Sequence, residues 1–234
     1  MRVANIATYP AREDSALPAL RSIATQVDVL NVAFNEYPNV PEAYRRLPNL
    51  NAVIPAHDIK DVGKFIFPVA PEDDVFLCDD DIVYPPNYVT SMMQARESLD
   101  FAGAIVGVHG VIYSDYFDGL ARSGRLVHLF YRALDVAERV NQLGTGTVHV
   151  KGCQMPPLKF MEGSSGFVDI RFARYAYEHG YPMFCVARET GWLRELENEE
   201  ALHLGVTRRL PLNALHEVQT YGGLARLAPS HRDA

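Results

Sequence analysis

The stretch Asp74-Val75-Phe76-Leu77-Cys78-Asp79-Asp80-Asp81 decides how this chain reads. An unbroken apolar run behind one acid has the character of a strand covered on both faces of a sheet. The run stops on three consecutive carboxylates. In open α/β sheets, ligands bind in the crevice outside the carboxyl ends of the strands. Three like charges at such a rim are costly unless a cation or polar ligand offsets them. Hard oxygen donors select Mg²⁺ or Mn²⁺, ions that keep positions open for substrate phosphates. A solvated acidic turn is the plainer alternative, and Asp73-Asp74 upstream reads as one.

On the N-terminal side, the pattern gives strands over 3–8 and 27–34 and a short one over 52–55. A helix over 13–26 gathers Leu17, Leu20, Ile23 and Ala24 on one face. A loop punctuated by Pro38, Pro41 and Pro48 separates the second and third strands, and a short helix over 62–67 follows. On the C-terminal side, Pro85-Pro86 opens a helix running to 99, and 103–108 is a further apolar strand. Strand–helix alternation of this kind predicts an α/β fold with a mostly parallel sheet covered by helices on both faces.

The second half is less regular. Residues 111–143 show no clear period. Leu143-Gly144-Thr145-Gly146-Thr147 reads as a tight turn into a strand over 148–150, and Gly163-Ser164-Ser165-Gly166 as a flexible loop. No Gly-Lys-Ser/Thr follows the glycine turn, so it is not a P-loop. Asp169 precedes a helix over 170–179 that ends at Gly180, with a last strand over 181–186. From Arg188 the chain is polar and arginine-rich, with an end expected to fray.

Composition bounds the function classes. The chain has 234 residues, 48% of them hydrophobic and 22% charged, which is globular composition. This length suits one large α/β domain that buries roughly 70% of its unfolded surface. With 22 Lys+Arg against 29 Asp+Glu, the net charge of −7 counts against nonspecific nucleic-acid binding. Cys78, Cys153 and Cys185 are odd in number and widely spaced, which suits buried free thiols rather than disulfides or zinc. Asn5 and Pro10 interrupt the N-terminus before any signal-peptide core, and no apolar run approaches the ~20 residues of a membrane span. The expected location is the cytoplasm, with a peripheral position at the inner face of the membrane left open.

With Thr8-x-Pro10-x-Arg12 after the first strand, Asp61-x-Gly63-Lys64, and then Phe76-Leu77-Cys78-Asp79-Asp80-Asp81, the chain resembles a GT-A glycosyltransferase, family 2-like, over residues 1–190. The resemblance implies one Rossmann-like GT-A domain, with residues 1–110 as its nucleotide-sugar half and 111–190 as its acceptor half. Residues 191–234 would then form a helical or partly flexible tail. It makes Asp79 the donor ribose contact, Asp81 the metal ligand together with Asp79, and Asp80 their support. Thr8, Pro10, Arg12 and Asn35 would hold the base and diphosphate, with Asp61 on base or ribose and Lys64 on phosphate. Gly144, Thr145 and Gly146 fall on the acceptor side. Asp169 becomes the general base, with Glu162 in reserve.

Each assignment has a plainer competitor. Arg12 is a surface arginine at a helix start, Asn35 a turn residue, and Asp61 and Asp169 are helix N-caps. His109 is a structural histidine beside a strand, His203 and His216 are metal-ligand candidates without a motif, and Trp192 is a core residue. The resulting expectation is a Mn²⁺- or Mg²⁺-dependent, inverting transferase. It would move sugar from a nucleotide-diphosphate donor, a UDP-sugar first among them, to a glycan or lipid-linked glycan in surface polysaccharide or lipopolysaccharide synthesis. A noncatalytic transferase-like binding subunit is the alternative. A sugar nucleotidyltransferase is disfavoured, because Ala7-Thr8-Tyr9-Pro10-Ala11-Arg12 lacks that class's glycine-rich loop.

Overall fold

The computed structural model describes residues 1–120, 123–196 and 209–227. Strand β1 (Arg2–Thr8) leads through a 3₁₀ turn, Pro10–Arg12, into helix α1 (Glu13–Ala24). Next come β2 (Val29–Phe34), the short α2 (Glu42–Arg45), the edge strand β3 (Leu50–Val53) and a 3₁₀ helix, Lys60–Phe65. Strand β4 (Asp74–Cys78) coincides with the run expected from its apolar residues. It is followed by β5 (Ile82–Val83), α3 (Tyr88–Glu97) and β6 (Ile105–Gly107).

Residues 110–143, which carry no readable period, form four short strands: β7 (Gly110–Tyr113), β8 (Arg125–His128), β9 (Glu138–Val140) and β10 (Gln142–Leu143). Strand β11 (Thr147–Lys151), α4 (Leu158–Met161), α5 (Val168–Glu178), β12 (Met183–Cys185) and β13 (Arg194–Glu195) follow, and then a helix over Leu212–Tyr221.

The central sheet has eight strands in the order β3-β2-β1-β4-β11-β6-β12-β9. It is mixed: six of its eight strands run the same way and two run against them. Strands β11 and β9 run antiparallel to their neighbours, while β3-β2-β1-β4 and β6-β12 are parallel pairs. Both faces are covered. Along β4, Phe76 and Cys78 enter the apolar layer with Leu20, Ile23 and Tyr88 of α1 and α3. Val75 and Leu77 enter the opposite layer with Phe172 and Ala173 of α5 and Val218 of the Leu212–Tyr221 helix. Successive side chains on opposite, equally buried faces explain the unbroken apolar run.

Across β1, β2 and β3 runs a ladder of amides. Asn51 Nδ2 donates to Asn31 Oδ1 at 2.7 Å, Asn31 Nδ2 to Asn5 Oδ1 at 2.8 Å, and Asn5 Nδ2 to the Lys64 carbonyl at 2.9 Å. Asn5 and Asn31 are buried, so these bonds answer the desolvation of their amides.

Other expectations are corrected here. The Gly163–Gly166 segment is tied down rather than flexible: Ser164 is fully buried with Oγ on the Met161 carbonyl, and the Gly166 N–H donates to Asp61. Cys153 is exposed, whereas Cys78 and Cys185 are buried free thiols. The described part of the tail is packed. The Leu212–Tyr221 helix docks on α5 with an Arg171–Glu217 ion pair at 2.7 Å. His203 and the chain end expected to fray lie outside the described residues. Among the described residues no helix is long and apolar enough to cross a membrane.

Candidate active site

The carboxyl ends of β1, β2, β4 and β6 and the amino end of antiparallel β11 meet at one rim of the sheet, because Thr147 pairs with Cys78 and Val148 with Gly107. Asp79-Asp80-Asp81 leaves β4 at this rim. Its three side chains do not share one environment. The Asp79 carboxylate pairs with Lys64 Nζ, and the Asp81 carboxylate with Arg12 Nη1 at 2.6 Å. Asp80, 3.8 Å from Arg12, is buried, and its Oδ2 has no hydrogen-bond partner.

Burial pushes the Asp80 carboxyl up to about 7 against the pull of Arg12, with Asp81 and Asp79 adding like charge. Burial and Asp79 likewise raise Asp81. Burial alone would lower Lys64, but Asp79 holds its ammonium above the usual lysine range.

The protein therefore supplies two of the cations that the acidic run demands. Both basic candidates are engaged on these acids. Arg12 is buried beside the acids, with Nε on the Tyr9 hydroxyl, and is not the surface arginine of the plainer reading. Lys64 is buried on Asp79, 3.4 Å from the Thr145 carbonyl. The 3₁₀ helix can deliver Lys64 so deeply because Gly63 sits on the strand ends, where a Cβ would come 2.8 Å from that of Ala33.

Thr8 ends β1 fully buried and faces the Asp80 carboxyl, its own Oγ1 unpartnered, while Pro10 is exposed at the start of the 3₁₀ turn. Asn35 is turned to structural use. Its Oδ1 accepts the Ile59 N–H and its Nδ2 donates to the Lys60 carbonyl, clasping the loop before Lys64. Asp61 is not an N-cap: it lies inside the 3₁₀ helix and accepts the Gly166 N–H at 3.0 Å. Burial raises its carboxyl against that bond.

Asp169 is the second residue of α5, two positions past the N-cap residue Phe167, and is not a cap. Its Oδ1 accepts both the Thr145 N–H at 2.8 Å and the Thr145 hydroxyl at 2.6 Å. The glycine turn thus joins the base candidate to the acids. A Cβ on Gly146 would overlap the Asp79 carboxylate, and one on Gly144 would come 3.2 Å from His109 Cβ. His109 is half-buried at the end of β6, and burial lowers its pKa against the charge of Asp169. Glu162 and His216 are exposed, and Trp192 packs on Tyr88 at 5.6 Å as a core residue.

Tyr84 is the site residue that the sequence reading missed. Its hydroxyl accepts the Asp79 N–H at 2.8 Å and donates to the Gly146 carbonyl at 2.7 Å, binding the acidic run to the glycine turn. The only sequence signal was a tyrosine among apolar residues just past the acids.

A divalent ion fits this donor set in one way. Asp79 and Asp81 each spend one oxygen on an ion pair, and their other oxygens have no protein hydrogen bond among the described residues. Among those residues no three ligating side chains converge into a closed cage. One or two carboxylates with water and phosphate oxygens is the mode in which Mg²⁺ is usually held. Comparison of the chain with family models and with curated proteins found no match, so the chemistry of this rim carries the functional reading.

Proposed function

We propose that the chain is a GT-A-type glycosyltransferase that moves a sugar from a nucleotide-diphosphate donor, a UDP-sugar in the first instance, to a glycan or lipid-linked glycan acceptor. One observation carries the reading: the acidic run closing β4 and the half-buried Asp169 carboxylate stand on one rim, joined through Lys64 and Thr145. The acidic run after the fourth strand of an α/β sheet, together with the Thr8-x-Pro10-x-Arg12 turn, supports the GT-A assignment.

In this reading Asp79 and Asp81 hold Mn²⁺ or Mg²⁺, and Asp79 also receives the donor ribose. The ion would neutralise the leaving diphosphate and orient it. Asp169 takes the proton of the acceptor hydroxyl as its oxygen bonds to the anomeric carbon. The bond from that carbon to the phosphate oxygen breaks, its electron pair leaving with the nucleoside diphosphate, and the configuration inverts. Arg12 and Lys64 hold Asp81 and Asp79 in place until the ligand arrives.

The test is a thermal-shift screen of nucleoside diphosphates and sugar nucleotides with and without Mn²⁺, because a ligand of the native state raises Tm by mass action. A Mn²⁺-dependent shift with one nucleotide is expected. It should disappear in Asp81→Asn and persist in Asp169→Asn, which loses transfer. Absence of any nucleotide shift overturns the proposal. A second reading, a noncatalytic binding subunit, draws support from the acids already being paired with Arg12 and Lys64. It requires nucleotide binding with neither transfer nor donor hydrolysis.

A further inference from the structure

We infer that Thr145 is a positioning residue that fixes which oxygen of Asp169 acts as the base, an inference that rests on the transferase reading. Both hydrogen bonds that the described residues give the Asp169 carboxylate fall on the same oxygen: the Thr145 N–H and hydroxyl both donate to Oδ1. Oδ2 receives none among the described residues, and Asp169 is half-buried rather than sealed. A carboxylate loaded on one side in this way cannot exchange its oxygens by rotating about Cβ–Cγ without breaking two bonds, one of them a short charge-assisted O–H···O⁻ contact. Oδ1 is the anchor, and Oδ2 receives the acceptor's proton.

Thr145 is itself held from the other side. It is buried, its carbonyl is 3.4 Å from Lys64 Nζ, and that ammonium pairs with Asp79. The glycines on each side of it let the turn approach His109 and Asp79, since a Cβ on either would crowd those side chains. The chain Asp79–Lys64–Thr145–Asp169 sets the offset between the donor-side carboxylate and the base. A general base acts only within hydrogen-bond reach of the proton it takes, and a misplacement of about 1 Å costs on the order of 100-fold in rate.

The experiment compares Thr145→Val, which keeps the backbone donor and the shape but deletes the hydroxyl, with Thr145→Ser, which restores it. Thr145→Val should lower kcat about 10- to 100-fold with the donor KM and Mn²⁺-dependent nucleotide shift unchanged, and Thr145→Ser should recover most of the rate.

A second readout does not depend on turnover: the ¹³Cγ resonance of Asp169, identified by its loss in Asp169→Asn. It should move in Thr145→Val and return in Thr145→Ser. An unmoved resonance, or a Thr145→Val enzyme with wild-type kcat, overturns the inference. A moved and rescued resonance in a protein that transfers no sugar overturns the transferase reading while the anchoring of Oδ1 stands. Melting curves identify a misfolded Thr145→Val, in which case Thr145→Ala and Thr145→Ser carry the same comparison.

Discussion

Gly146 lies against Asp79 so closely that a Cβ at position 146 would overlap the carboxylate. The backbone there needs no left-handed conformation, so the glycine is demanded by this approach alone. Gly146→Ala must push Asp79 off Lys64 or lift the turn. Overpacking of this kind costs about 1–3 kcal/mol. A lowered Tm together with lost nucleotide binding is the expected result. Wild-type values for both would mean that the turn yields freely.

The Lys64–Asp79 pair is unequally buried: the lysine side chain is 4% exposed and the aspartate 40%. Asp79→Asn removes the paired charge of an ammonium held in the interior, and breaking a buried pair costs about 3–5 kcal/mol. Lys64→Met leaves a carboxylate that water can reach, and it should cost about 1–2 kcal/mol. Denaturant titration of both variants checks the order, and the reverse order would contradict the burial argument.

Tyr84 offers its hydroxyl to two backbone groups at once. Tyr84→Phe keeps the packing but leaves the Asp79 N–H and the buried Gly146 carbonyl without partners. The loss should be about 2 kcal/mol or more. Amide exchange at Asp79 should quicken with it, while α3 keeps its protection.

Two buried groups act on stability with opposite signs between pH 4 and pH 7. Burial raises Asp80 to about 7, so the folded chain holds a proton that the unfolded chain has lost, and this contribution fades as pH rises through 7. His149 stacks on Phe76 and bonds Asp74. Burial lowers it to about 4, so its contribution is lost as pH falls from 6.5 toward 4. Wild-type Tm should be comparatively flat over this window. Asp80→Asn should melt with a steeper loss on acidification, and His149→Asn with a shallower one, both read by melting curves across pH. Parallel profiles in all three proteins would refute the assignment.

The first strands, α1 and β4 were legible because their apolar residues follow the period of the element over enough positions to be counted, and the acids were legible because they end such a run. Strand direction was not. In a strand buried on both faces, nothing in Thr147–Lys151 distinguishes antiparallel insertion between β4 and β6 from parallel addition at an edge. Strands of two to four residues, as in β7–β10, are too short to display alternation. Candidate residues were found by type and place, but their partners were not. Arg12 meets Asp81 across 69 positions, and Asp169 meets Thr145 across 24. Composition announced an unbalanced cluster of acids; only folding reveals that a lysine and an arginine of the same chain answer it.

The amide ladder across the first three strands acts as an alignment key. A slip of one residue would be rejected by turning every side chain to the wrong face, but a slip of two keeps the faces and would otherwise pass. In the observed register Asn5 stands opposite Asn31, and Asn31 opposite Asn51. Sliding β1 by two against β2 would seat the buried Asn31 beside Val3 or Ala7 and the buried Asn5 beside Val29 or Ala33. Three asparagines remote from the reacting atoms thereby ensure that Thr8 and the loop clasped by Asn35 arrive level with each other.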